Sequence, residues 1–172
     1  GREVAKRAQA MDMKCVAYDP FITKERAAQL GVEMMTMADL FKVADVITVH
    51  TPLIPETTHV INEKSIATMK DGVRIINCAR GGIIDEKALY DAVKSGKVAG
   101  AALDVFWYEP LPSNHPLLMM ENVTLTPHLA GSTHEVPERH SRMIVDDVIA
   151  WLKDKPPKNV FNIEAITRTS TK

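Results

Sequence analysis

The 172-residue sequence predicts an α/β domain built on a doubly wound parallel sheet. Two observations carry this. Short apolar runs alternate with segments of helical periodicity along most of the chain. Residues of ligand-binding type follow the ends of those runs: Asp19, His50, Arg80, Asp104 and His128. In an open parallel sheet, that is the edge where ligands bind.

The elements follow in order. Residues 1–11 read as a helix, with Val4, Ala5 and Ala8 on one face and Arg2, Glu3, Lys6 and Arg7 around the other. Residues 13–18 read as a strand closed by Asp19-Pro20. Thr23 to Leu30 reads as a helix ended by Gly31, and residues 32–35 as a short strand. Thr36 is placed to cap a helix over 37–43, with Asp39 three residues on. Strands are expected over 45–50 and 73–76, on either side of a helix over 62–69. Asp85 is placed to cap a helix over 86–94, which Gly96 stops. The small-residue run 100–105 reads as a strand that allows close approach. A proline-rich loop over 107–116 leads to a strand over 123–126, which Pro127-His128 ends. The longest helix is expected over 134–153, with Ile144, Val148, Trp151 and Leu152 facing inward, until Pro156-Pro157 breaks it. The nine methionines read as core filler.

Composition narrows the function. The chain is 45% hydrophobic and 25% charged, which is ordinary for a globular domain. A formal net charge of -1 gives no field that would hold nucleic acid or an anionic membrane, and neither partner is expected. No apolar run of about 18 residues could span a bilayer. Cys15 and Cys78 lie far apart in sequence, with no CxxC pair and no His/Cys cluster at zinc spacing. No metal is expected, and a reduced, cytoplasmic setting is.

The strand ends carry the chemistry. Arg80 closes the run Ile75-Ile76-Asn77-Cys78-Ala79-Arg80-Gly81-Gly82. Its planar fork suits a small carboxylate; the alternative is a surface arginine on a βα loop. Asp19 lies 18 residues after Gly1, close to the distance at which a dinucleotide-binding unit places an acid for the ribose hydroxyls. A carboxylate there favours NAD over NADP; a simple Asp-Pro turn is the alternative. His50-Thr51-Pro52 can contact a cofactor, or His50 is structural. Asp104 can accept from a nicotinamide amide or cap a turn. Imidazole is the usual acid/base near neutral pH and needs an orienting partner. His128 with Glu109 fits that need, and Arg80 would hold the substrate. Together the three meet the needs of alcohol oxidation better than a set of unrelated loop residues. His59, His115, His134 and His140 read as surface or packing residues.

These residues lie in stretches that resemble the D-isomer-specific 2-hydroxyacid dehydrogenases. The stretches are Gly1-Arg2-Glu3-Val4-Ala5, Tyr18-Asp19-Pro20, Val49-His50-Thr51-Pro52-Leu53, Asn77 to Glu86, Ala101 to Phe106, Glu109-Pro110 and Thr126 to Thr133. They keep that family's order and spacing nearly end to end. The resemblance implies a Rossmann-type fold and a catalytic set of Arg80, Glu109 and His128. It also implies an NAD site drawn from Gly1, Asp19, Pro20, His50, Thr51, Pro52, Cys78, Ala79, Arg80, Asp104, His128, Ala130 and Gly131. Glutamate at 109, where related formate dehydrogenases have glutamine, points to hydroxy-acid chemistry.

By the same resemblance, Gly1 would be the third glycine of GxGxxG. The first strand of the sheet is then expected to be missing, and the chain to be a fragment that binds NAD poorly alone. Residues 1–155 would form the NAD-binding domain. Residues 156–172 would form a tail, in which Asn159 to Ile163 returns towards an absent substrate domain. The implied reaction is oxidation of a small 2-hydroxy acid to the 2-keto acid, with 3-phosphoglycerate foremost. Glyoxylate, hydroxypyruvate or D-lactate reduction is the same-class alternative, and an NAD(H)-sensing binding protein the alternative of another class. The family also implies a homodimer or higher homo-oligomer formed through the cofactor domain, and the proline-rich, apolar loop over 107–120 of this chain is the contact expected from its composition.

Overall fold

The computed structural model describes residues 1–160. It divides into two compact units, Gly1–Leu129 and Ala130–Lys172. The first unit runs α1 (Arg2–Gln9), β1 (Val16–Ala17), α2 (Lys24–Gln29), β2 (Glu33–Met34), α3 (Met37–Val43), β3 (Val46–Val49), α4 (Glu63–Thr68), β4 (Val73–Asn77), α5 (Glu86–Lys94), β5 (Val98–Leu103), a 3₁₀ turn (Pro116–Met119) and β6 (Val123–Leu125).

The sequence places most helix starts well because the caps are local. The side chains of Thr23, Thr36 and Asp85 each accept from a backbone N–H three residues on, and Asn62 forms a full capping box with Ser65. Strands are shorter than expected at both ends of β1. β5 lies two residues earlier than the small-residue run suggested: fully buried Val98 begins the pairing with β4, and its last partnered residue is Leu103. The 3₁₀ turn was not expected; Pro116 at its first position and the His115 side chain as its cap account for it.

All pairings are parallel. β1 pairs with β2, and a separate four-stranded sheet runs β3-β4-β5-β6. Among the described residues no strand bridges the two sheets, as expected for a doubly wound sheet lacking its first strand. Because all four strands of the larger sheet run the same way, their carboxyl ends share one edge. The core lies between this sheet and its crossover segments. Ile75, Ile83, Leu89, Val98 and Leu117 are fully buried there, each worth about 1.5–3 kcal/mol in burial. Along β3 exposure alternates, with Ile47 and Val49 buried and Val46 and Thr48 open.

Two expectations about packing fail. Met69 joins the core, but Met119 is 85% exposed and Met11 is exposed too, so the methionines are not general core filler. In the second unit α6 (Glu135–Leu152) buries none of its residues, and Ile144, Val148, Trp151 and Leu152 are all exposed. Periodicity identified residues that share a face, but it does not report what covers that face. Asp147 of α6 accepts from the backbone of Lys158 and from both the backbone and side-chain amides of Asn159, which ties the chain after the helix back onto it. The rest of the expected returning tail, after Val160, lies outside the described residues.

Candidate functional site

At the end of β4 the buried side chain of Asn77 builds the turn that presents Arg80. Its Oδ1 accepts from Ala79 N at 3.0 Å and its Nδ2 donates to the Arg80 carbonyl at 2.9 Å. Sequence reasoning quoted Asn77 only as part of a motif. The signal was available, since asparagine at a strand end favours local side-chain-to-backbone turns. Arg80 is exposed. Its Nη1 donates to the Ala79 carbonyl at 2.6 Å, and among the described residues no carboxylate pairs with it. An open guanidinium fork at a sheet's ligand-binding edge is suited to an incoming carboxylate.

The next two glycines bring in the loop after β5. A Cβ on Gly81 would collide with the Phe106 carbonyl and lie 2.8 Å from Trp107 N. A Cβ on Gly82 would meet the Trp107 ring at 2.5 Å, and its φ of +79° is one that glycine tolerates readily. The backbone of Phe106-Trp107 therefore lies directly against the turn that carries Arg80. Two residues on, Glu109 folds back so that its Oε1 accepts from Phe106 N at 3.0 Å.

Its other oxygen, Oε2, is 2.8 Å from His128 Nδ1. With the carboxylate ionised, Nδ1 donates, leaving Nε2 as the nitrogen available for proton exchange. The hydrogen bond from His128, followed by that from Phe106 N, holds the Glu109 carboxyl below its ordinary value. His128 sits in the left-handed region at φ 56°, which a non-glycine residue keeps only when its surroundings enforce it. Asp104 helps to enforce it. Buried at 3% exposure, its Oδ1 accepts from Thr126 Oγ1 and from Leu129 N at 2.7 Å, bracketing the histidine. The turn-capping role weighed for Asp104 is thus present.

The remaining strand-end residues are placed as follows. Gly1 precedes α1, whose first turn has no side-chain cap, unlike those of α2 to α5. Such uncapped N–H groups suit a phosphate. Asp19, with Pro20 beside it, closes a turn by accepting from Phe21 N at 2.8 Å and remains exposed. His50 Nε2 lies 3.0 Å from Thr48 Oγ1, and burial pushes its pKa down. Thr51 Oγ1 donates to the Pro52 carbonyl. Cys78 is exposed, with Ala79 half-buried beside it. Partial burial and then the charge of Asp104 push the Cys78 thiol up, so it is a poor nucleophile. Ala130 and Gly131 open the second unit. Within the first unit, a helix start without a side-chain cap among the described residues suits a phosphate, and an exposed acid suits a ribose diol.

One expectation is corrected. His115 is not without company: its Nε2 lies 3.2 Å from Glu86 Oε2, with both side chains largely buried. His59 does behave as a packing residue, with its ring centroid 5.2 Å from that of Trp107.

Comparison with known proteins agrees with this geometry. Residues 1–130 match the family described as D-isomer specific 2-hydroxyacid dehydrogenase, NAD binding domain. D-3-phosphoglycerate dehydrogenase of Archaeoglobus fulgidus is 48% identical over 96% of this chain, which spans about a third (32%) of that relative's length. Among solved structures, the holo form of Rhodotorula graminis D-mandelate dehydrogenase is 36% identical with a TM-score of 0.85, covering 91% of this chain and 46% of that one. Lactobacillus jensenii D-lactate dehydrogenase with NAD+ is 30% identical with a TM-score of 0.85, covering 93% of this chain and 52% of that one. The chain belongs to the NAD-binding domain family of the D-isomer-specific 2-hydroxyacid dehydrogenases, and its cofactor is NAD.

Proposed function

We propose that this chain is the NAD-binding part of a longer dehydrogenase that oxidises a D-2-hydroxy acid, foremost 3-phosphoglycerate, to the 2-keto acid. The observation that carries the reading is the 2.8 Å contact between His128 and Glu109, at the sheet edge that also presents the exposed Arg80, which among the described residues has no carboxylate partner. In this reading Arg80 grips the substrate carboxylate through two parallel hydrogen bonds. His128 Nε2 takes the hydroxyl proton. Glu109 fixes the tautomer and stabilises the imidazolium that forms. Bound NAD supplies a hydride acceptor. The uncapped start of α1 after Gly1 would hold its pyrophosphate, and Asp19 its adenine ribose. Pro20, the 50–52 and 78–80 loops, Asp104 and His128 would line the rest.

The identity to a 3-phosphoglycerate dehydrogenase supports the substrate, and with it a place at the start of serine synthesis. Residues 1–155 would serve as the cofactor domain and 156–172 as the return to a substrate domain. Among the described residues no helix is long and apolar enough to cross a membrane. Two free cysteines support a reducing, cytoplasmic setting. The exposed Trp107, Tyr108, Leu118 and Met119 support a homodimer through this loop.

The test is NADH formation by the full-length protein with 3-phosphoglycerate, D-lactate and D-glycerate. Turnover confined to the phosphorylated acid is the expected result. Turnover on the others alone would change the substrate. Absence of turnover on all three would reject the enzyme reading in favour of an NAD(H)-responsive binding protein.

A further inference from the structure

The molecule holds a second acid–imidazole pair beside the proposed catalytic one. Glu86 begins α5, directly after the capping residue Asp85. Its Oε1 accepts from Trp107 N at 2.7 Å, and its Oε2 faces His115 Nε2 at 3.2 Å. His115 Nδ1 accepts from Leu117 N and caps the 3₁₀ turn, so Nε2 carries the proton and donates to Glu86. The pair is more enclosed than the first: the side chains of His115 and Glu86 are 19% and 17% exposed, against 48% and 35% for His128 and Glu109.

The two pairs meet on one stretch of backbone. Phe106 N donates to Glu109, and the very next amide, Trp107 N, donates to Glu86. The opposite side of the same peptide is pressed against Gly81, one residue from Arg80. The Phe106-Trp107 peptide thus sets the separation of Arg80 from Glu109, and hence from His128. Glu86 and His115 clamp it at both ends of the loop, Trp107 at the start and His115 at the finish.

We propose that Glu86 and His115 are positioning residues that fix the carboxylate of Glu109, and through it the imidazole of His128, by holding the Phe106-Trp107 backbone. This rests on the roles given above to Glu109 and His128. The two ideas fail separately in a double-mutant cycle on kcat in the full-length enzyme, with Glu86→Ala, Glu109→Ala and the pair together.

Glu86→Ala is expected to lower kcat about tenfold, the scale of one lost hydrogen bond to a charged group, with the KM for NAD unchanged. In the Glu109→Ala background it should cost nothing further, because its effect passes through Glu109. Glu86→Gln keeps an acceptor for Trp107 N and should recover part of the loss. If Glu86→Ala does not fold, the same cycle is run with Glu86→Gln and with His115→Ala. Equal losses in both backgrounds, or wild-type kcat in the single variants, would overturn the proposal. A wild-type kcat for Glu109→Ala would overturn the catalytic reading as well.

Discussion

Gly81→Ala isolates the geometry on which the site depends. Gly81 does not have a positive φ, so alanine adds no backbone strain and its effect is steric. The added methyl would fall inside the Phe106 carbonyl and 2.8 Å from Trp107 N, where real Cβ atoms keep at least 3.0 Å. Both obstacles are backbone and neither can rotate away. Relieving the overlap requires the Arg80 turn and the Glu109 loop to separate by about 1 Å or more, and a misplacement of that size costs about 10²-fold in rate. Overpacking of this kind also costs about 1–3 kcal/mol of stability. The assay is kcat/KM of the full-length enzyme beside its thermal midpoint. Gly96→Ala is the control: φ is +82° and nothing lies within 4 Å of the added methyl, so about 1–2 kcal/mol of stability should be lost with kcat/KM intact. A Gly81→Ala enzyme that retains wild-type kcat/KM would refute the argument that this contact sets the spacing of Arg80 and Glu109.

Three further outcomes are expected. His128→Ala should lower kcat about 10²–10⁴-fold, the range for a general acid/base, with NAD affinity by fluorescence titration little changed; a small effect on kcat removes His128 from its role. The Glu109 carboxyl should titrate below its ordinary 4.5 by carbon-detected NMR and move upward in His128→Ala, since His128 is the largest cause of the depression. Its contribution to stability is then complete above 4.5 and lost as pH falls through the lower folded value. Met119→Glu, at a residue 85% exposed, should weaken the proposed dimer in sedimentation velocity; an unchanged sedimentation coefficient counts against the 107–120 contact.

What the sequence revealed depended on the range of the interactions involved. Helix caps lie within three residues of the groups they satisfy, so Thr36 and Asp85 could be recognised with no knowledge of the fold. The strand-end residues were legible because a parallel sheet aligns all its carboxyl ends. The contacts that assemble them were not. The Glu86–Trp107 bond spans 21 residues and the Asp104–Leu129 bond 25, and no local pattern marks either partner. His115 was set aside because its neighbours in sequence are uninformative, while its partner lies on another element. The apolar face of α6 was read correctly as a face and wrongly as buried, since its exposure depends on what stands opposite.

The break between β2-β1 and β3-β6 also bears on how this chain behaves in concentrated solution. β3 ends its sheet with a four-residue ladder paired on one side to β4, and Val46 and Thr48 are open to solvent. That edge carries no proline. Unpaired edge amides and carbonyls are a template for strand addition, whether by a neighbouring molecule or by an extended peptide supplied in trans. Among the described residues β3 is therefore the edge at which an added strand would find partners, and a soluble peptide of strand-forming sequence is expected to pair there.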